Sequence, residues 1–193
     1  MLTDADRREI ARLWARKVEQ DTRKLPKGER HRNLEPDSAE LLCALASGLK
    51  AKAVVEIGGS SGVSTIALAA AMRATGGRVT SIEIEPVRQA ESKETTKRLG
   101  LEAFIDYRLG DAADVLPSLA AQDLVLLDCE KDDYVRFFGL ARVKPGGIVV
   151  ADNVISHDIR AYQAHVRALP GVDSITLAVG KGLEVTRVAS AGG

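Results

Sequence analysis

A chain of 193 residues, 45% hydrophobic and 28% charged, has the length and composition of one soluble domain with a sizeable core. Its 27 basic and 27 acidic side chains cancel, which removes any global pull toward nucleic acid and leaves only local patches to consider. No apolar stretch approaches the roughly 20 residues of a membrane span. The opening MLTDADRREIARLW has no signal-peptide core, and Cys43 and Cys129 lie far apart without metal-type spacing, so a reduced, cytoplasmic setting is expected.

From Asp4 to about Thr22, Ile10, Leu13, Trp14 and Val18 recur on one face of a helix. This helix stands ahead of the strand–helix pattern, and its apolar face suggests a second subunit, hence a homodimer. KLPKGERHRNLEP breaks the periodicity with Pro26, Gly28 and Pro36; His31 within it reads as part of a solvated basic loop. DSAELLCALASGLK is a second helix, with Asp37 or Ser38 placed to cap it.

From residue 53 short apolar runs alternate with helical stretches. AVVEI, RVTSIEI, AFIDYRL, DLVLLD and GGIVVAD read as strands. Between them VSTIALAAAMRAT closes at Gly76-Gly77, PVRQAESKETTKRLG opens on Pro86 and ends at Gly100, and AADVLPSL and DDYVRFFGLARV follow as helices. HDIRAYQAHVRAL adds a last helix before VDSITLAV and GLEVTRV, which a GKG turn joins as an antiparallel hairpin. Five strand–helix units imply an α/β fold with a parallel sheet covered on both faces, because parallel neighbours need crossover connections.

Ligands of such sheets bind beyond the carboxyl ends of the strands. The residues there are unusual: Glu56 and Gly58, Glu83, Gly110 and Asp111, Asp128 with Glu130 and Lys131, and Asp152 with Asn153. VVEIGGSSGVST is a strand, a glycine turn and a helix start, which lets a ligand approach the backbone and the free N–H groups of a helix terminus. It does not satisfy G-x-G-x-x-G, since Ser60 and Val63 stand where later glycines belong; this disfavours a nicotinamide dehydrogenase. Glu83 is suited to two ribose hydroxyls, or is a solvated strand-end carboxylate. Asp111 suits an adenine amino group or caps the next helix. Asp128, Asp152 and Asn153 offer only oxygen ligands, which fits a hard cation such as Mg²⁺, and Asn153 adds an oxygen without adding charge. Lys131, three residues past Asp128, could take a hydroxyl proton beside that cation. His157 and Asp158 follow the Asp-Asn pair and read either as pocket wall or as a helix start.

Together these residues resemble the cation-dependent class I O-methyltransferases of the catechol and caffeoyl-coenzyme A group, from about Leu34 to Asn153 and again in GKGLEVTRV. VVEIGGSSGVST is similar to that family's S-adenosylmethionine loop, LLDCEKDDY to its D-A-D-K-x-x-Y, and KPGGIVVADNV to its G-G-x-x-x-x-D-N. The resemblance implies a Rossmann-like seven-stranded sheet, mostly parallel, with a terminal antiparallel hairpin and helices on both faces. It implies one domain over residues 1–193, made of an N-terminal helical extension (1–35) and the core (36–193). Glu56, Gly58, Gly59 and Ser64 would hold the methionine end of S-adenosylmethionine, Glu83 its ribose, and Asp111 with Ala112 its adenine, with Glu130 close by. Asp128, Asp152 and Asn153 would hold the cation, most simply Mg²⁺ with Mn²⁺ or Ca²⁺ as alternatives, and Lys131 would be the base.

The implied reaction is O-methylation of a small catechol-like molecule. A hydroxylated nucleoside in RNA, met by the basic loop, and a cofactor-binding module without catalysis are the alternatives. Two departures stand out. Cys129-Glu130 replaces the family's Ala-Asp, and only 28 positions (181 − 153) separate Asn153 from Lys181, shortening a segment that helps wall the acceptor in the family.

Overall fold

The computed structural model describes residues 1–26 and 28–189; Lys27 of the basic loop lies outside them. The chain runs α1 (Asp4–Thr22), α2 (Pro36–Gly48), β1 (Ala53–Ile57), α3 (Val63–Thr75), β2 (Arg78–Glu83), α4 (Pro86–Arg98), β3 (Ile105–Leu109), α5 (Ala112–Val115), β4 (Gln122–Leu127), α6 (Tyr134–Leu140), β5 (Val143–Asp152), α7 (Arg160–Arg167), β6 (Val172–Leu177) and β7 (Leu183–Val188). The seven strands form one sheet in the order β3-β2-β1-β4-β5-β7-β6. β1 to β5 pair in parallel, whereas β7 is antiparallel to both β5 and β6.

The strands place alternate side chains in two apolar layers, as the two-residue period requires. Val54, Val79, Leu124, Leu126 and Val150 face a layer shared with α1, α2 and α3. Val55, Ile57, Ile82, Val125, Leu127 and Val149 face the layer that takes Leu116, Tyr134, Phe137, Tyr162 and Val166. α3 is buried from Val63 through Met72, and its Ala-rich sequence lets α1 and α2 approach it closely. Parallel strands buried on both faces explain why these runs read as continuously apolar.

Three local expectations are corrected. The segment 103–109 divides into a 3₁₀ turn, Glu102–Phe104, and a strand that starts only at Ile105. The segment 132–143 also divides: a 3₁₀ turn spans Lys131–Asp133, and α6 ends at Leu140. Val143 already belongs to β5, pairing with Gln122 ahead of a register shift that absorbs Pro145. Finally, α1 is no separate appendage. Ile10 and Leu13 are buried within the chain's own core, and its capping box, Thr3 with Asp6, is tied down by the Arg73–Asp6 ion pair at 2.7 Å. Val18 alone of its predicted apolar face is exposed.

Candidate active site

The sheet order reverses between β1 and β4. β1 leads outward through β2 to β3, and the chain then returns to the other side of β1, which opens a crevice at the strand ends. Backbone contact closes this crevice at its floor. Gly58 N donates to Ile82 O at 2.9 Å, and Asp128 N donates to Ile57 O at 3.0 Å. Gly58 adopts φ +95°, and a Cβ there would overlap the carbonyl oxygen of Asp128, so only glycine lets the two strand ends meet.

Two cavities flank this floor. The first, of about 180 Å³, runs over the ends of β1, β2 and β3 and includes Gly58, Glu83, Asp111, Ala112 and Glu130 in its walls. Glu83 is buried, and both its oxygens accept backbone hydrogen bonds, from Ser60 N at 2.8 Å and from Glu85 N at 2.9 Å. Two amides thus fix the carboxylate while its remaining lone pairs face the cavity. Asp111 caps α5 through Ala113 N at 2.8 Å and also lines the cavity, so its two readings coexist. Ile82, Ile84 and Phe137 supply apolar wall beside these polar groups.

Glu56, Gly59 and Ser64 lie beneath the loop rather than in that wall. Glu56 is fully buried, accepts from the Thr65 hydroxyl, and is pushed above the usual carboxylate range by burial, which its hydrogen bonds to Ser81, Thr65 and Ser64 only partly offset. The glycine loop therefore rests on a carboxyl group that burial favours in its neutral form.

The second cavity, of about 310 Å³, opens over β4 and β5 and shares Asp128 and Arg32 with the first. Lys17, Arg30, Lys131, Asn153 and Lys181 also line it. The Lys131 ammonium stands 3.7 Å from Asp128 Oδ1, donates to the Tyr134 hydroxyl, and lies 4.7 Å from that ring's centre. Tyr134 OH in turn donates to the Asp152 carbonyl at 3.0 Å, so Lys131 is held against the end of β5.

Asp128 and Asp152 face each other across this floor. Burial pushes Asp128 well above the usual carboxylate range, and the neighbouring Asp152 adds to it; Lys131 and Arg32 oppose. Asp152 is pushed to about 6, by burial first and then by the charge of Glu35. Its Oδ1 is buried without any hydrogen-bond partner. Asn153 bridges the pair: its Nδ2 donates to Asp152 Oδ2 and lies 3.5 Å from Asp128 Oδ1. The residue sits at φ +63°, a left-handed conformation that asparagine tolerates better than most.

An amide hydrogen now stands where positive charge belongs, and turning the amide would present its oxygen instead. An orphaned buried carboxylate oxygen, two mutually repelling carboxylates and an all-oxygen donor set fit a hard divalent cation. Among the described residues no three His, Cys, Asp or Glu side chains converge as a ligand group, so the fit rests on two carboxylates and the amide.

The structure thus brings Gly58, Glu83, Gly110, Asp111 and Glu130 to the first cavity and Lys131 and Asn153 to the second, with Asp128 in both; Glu56 and Asp152 are buried outside either lining. His157 lines the second cavity, while Asp158 is exposed and paired with Arg160 at 2.6 Å. Sequence reasoning missed Arg32, whose backbone N donates to the Ser60 hydroxyl at 3.2 Å and whose guanidinium pairs with Glu130, strapping the α1–α2 loop across the crevice. It missed Arg30 as well, since a Pro- and Lys-rich loop reads as solvated, and Lys17 of α1, both of which line the second cavity. His31 is likewise no free loop cation: its Nε2 lies 3.2 Å from Glu91, and burial moves it below the usual histidine range.

The fold agrees with that of related chains. A family model described as O-methyltransferase matches residues 7–169, and the chain belongs to that family. It is 33% identical over 130 residues to a catechol O-methyltransferase from Niastella koreensis and 35% identical over 122 residues to one from Mycobacterium tuberculosis. Those matches take in 64% and 60% of this chain and 58% and 54% of the relatives, so the alignment spans little more than half their length. The solved structure of cofactor-bound Rv0187 from MTB superposes with a TM-score of 0.80 at 27% identity, over 95% of this chain and 90% of that one. The O-methyltransferase TomG from Streptomyces achromogenes, at 24% identity and a TM-score of 0.79 over 98% and 92% of the two chains, shares the fold. No helix among the described residues is long and apolar enough to cross a membrane.

Proposed function

We propose that this chain is an S-adenosylmethionine-dependent O-methyltransferase that requires a divalent cation and methylates a small molecule with adjacent hydroxyls. The observation that carries the reading is Asp128, which lines both cavities and so stands where a cofactor in one would meet an acceptor in the other. Membership of the O-methyltransferase family and the catechol-type names of its relatives support the same reading.

In this reading Glu83 holds the ribose hydroxyls with a carboxylate already oriented by two amides, and Asp111 with Ala112 borders the adenine. Asp128, Asp152 and Asn153 hold the cation. S-adenosylmethionine supplies an electrophilic methyl group, and the cation supplies Lewis-acid stabilisation of negative charge on an acceptor oxygen. A free phenol has a pKa of about 10, so such help matters near neutral pH. Lys131, as the free amine, takes the hydroxyl proton on Nζ, and Tyr134 keeps that nitrogen beside Asp128. Arg32 and Glu130 close the crevice over the reacting groups and limit water. Most of the rate gain then comes from positioning and charge stabilisation.

The test is methyl transfer from labelled S-adenosylmethionine to a panel of catechols and hydroxylated RNA, with and without a chelator. Chelator-sensitive labelling of a catechol supports the proposal. Chelator-resistant transfer sinks the cation requirement, and labelling of RNA alone reassigns the acceptor.

A further inference from the structure

The two cavities differ in what lines them. The first has apolar wall from Ile57, Ile82, Ile84 and Phe137, as pockets for organic ligands usually do. The second has no apolar residue in its wall among the described residues; its lining is polar or charged throughout. Five cationic side chains, Lys17, Arg30, Arg32, Lys131 and Lys181, stand there against two carboxylates, Asp21 and Asp128. The chain as a whole carries no net charge, so this surplus is local.

Two of these cations share one counter-charge. Lys17 Nζ lies 2.9 Å from Asp21 Oδ2, and Arg30 Nη1 lies 3.3 Å from Asp21 Oδ1. Other partners lie outside the lining: Arg32 pairs with Glu130, which lines the first cavity, and Lys181 pairs at 3.1 Å with Glu35, which lines neither. Lys17 is buried with its ammonium 4.6 Å from the centre of the Trp14 ring, whereas Asp21 is 39% exposed and screened by solvent. Arg30 is fixed through its backbone. Its carbonyl accepts from Arg88 Nη2 at 3.2 Å, and the neighbouring His31 N donates to Gln20 Oε1 at 2.8 Å.

We infer that the methyl acceptor is a small acid, bearing a carboxylate or a phosphate that Lys17, Arg30 and Lys181 bind in this second cavity. This inference deepens the acceptor reading above and rests on it. A neutral ring finds no apolar wall here, while an anion finds held positive charges inside a concavity, where the field is focused. The fork of arginine and the point charges of lysine suit either anion. A small acid fits better than a polynucleotide, because Glu35, Glu91 and Glu130 stand next to the lining residues Lys181, His31 and Arg32 and would repel a chain of phosphates.

The test compares catechol, a dihydroxybenzoate, a dihydroxyphenyl phosphate, a cationic catecholamine and a hydroxylated RNA oligonucleotide on the full chain with Mg²⁺. Binding is measured by calorimetry with S-adenosylhomocysteine present, and kcat/KM with S-adenosylmethionine. The acids should bind about 10-fold or more tighter than catechol, which is what one hydrogen bond to a charged group is worth, and the amine should bind weakest. The tighter of benzoate and phosphate identifies the anion. Arg30→Gln and Lys181→Gln should each pull the acid-to-catechol ratio toward one; Lys17→Gln should do the same, with circular dichroism checking the fold of this buried position. Equal losses for acid and catechol would mark a structural role and overturn the inference. Acids bound no tighter than catechol overturn it too, while chelator-sensitive methylation of catechol would still uphold the acceptor reading. Charge-ordered binding with no methyl transfer to any compound sinks that reading and leaves the anion site standing. RNA bound more tightly than either acid, with affinity falling steeply as salt rises, overturns the small-acid assignment.

Discussion

The two sides of the crevice are finished to different degrees. On the β1–β3 side the carboxylates that line the cavity are already engaged: Glu83 accepts from two backbone amides and Asp111 caps α5. On the β4–β5 side an oxygen of Asp152 is orphaned, two carboxyl groups are pushed upward by burial and by neighbouring negative charge, and an asparagine nitrogen stands between them. One half is preorganised for an organic ligand whose hydroxyls fit existing acceptors. The other half leaves a buried carboxylate oxygen without a partner. Families of ligands can therefore be told apart by how fully the protein satisfies its own polar groups beforehand.

The largest effect that would break this contrast is at Asp152. Asp152→Ala should cut cation affinity by more than about 100-fold, beyond the 10–100-fold that losing an outer partner costs, and take methyl transfer to background. Calorimetry on cation-free protein should find S-adenosylmethionine binding unchanged, because Asp152 lies outside that cavity. Lost cofactor binding would show that the two halves are not separable. Next comes Lys131→Met, expected to lower turnover by about 10²–10⁴, the usual contribution of a positioned base, with Mn²⁺ affinity intact. A pH–rate profile that keeps the wild-type rise with pH would remove Lys131 from proton transfer.

Glu83→Ala should weaken S-adenosylmethionine binding roughly tenfold or more, since a hydrogen bond to a charged group contributes about 1.5–3 kcal/mol, and leave Mn²⁺ titrations alone. The smallest effect is on stability against pH. Asp152 titrates at about 6 in the folded chain, above the unfolded value near 4, so the folded state binds the extra proton between those limits. Its contribution is fully present below pH ~4 and is lost as pH rises to about 6, amounting to about 1–3 kcal/mol. Asp6 and Glu184 are held low against burial by their hydrogen bonds and pull in the opposite direction, so the readable quantity is a difference. In cation-free protein, Asp152→Asn should melt progressively higher than the wild type as pH rises from 4 to 7, and saturating Mn²⁺ should narrow that gap. A gap that does not change with pH would mean Asp152 is not ionising in this range.

Sequence carried the sheet further than it carried the site. Strand runs bounded by Gly76-Gly77, Gly100 and Gly110 have few other readings, and carboxylates directly behind them mark the ligand end. The start of β5 was obscured because Pro145 and Gly146 look like a loop, and only the shifted pairing with β4 makes Val143 a strand residue. The packing of α1 was misjudged for a different reason. Its spacing shows an apolar face but not which surface covers it, and the Ala-rich face of α3 that takes Leu13 has no signature of its own. Arg30 and Arg32 come from a segment whose composition says solvent, and Asn33 ties that segment to the glycine loop, its Oδ1 accepting from Ser61 Oγ at 2.9 Å.

The absent Cβ of Gly58 has a consequence for how ligands sense one another. Because the glycine loop touches the Asp128 carbonyl with no side chain between, neither strand end can shift without moving the other. A ligand seated on the loop would therefore be coupled to any ligand held at Asp128, and by the same amount in return, since such coupling is reciprocal. With both cavities filled, the order of arrival would alter each stepwise affinity but never their product.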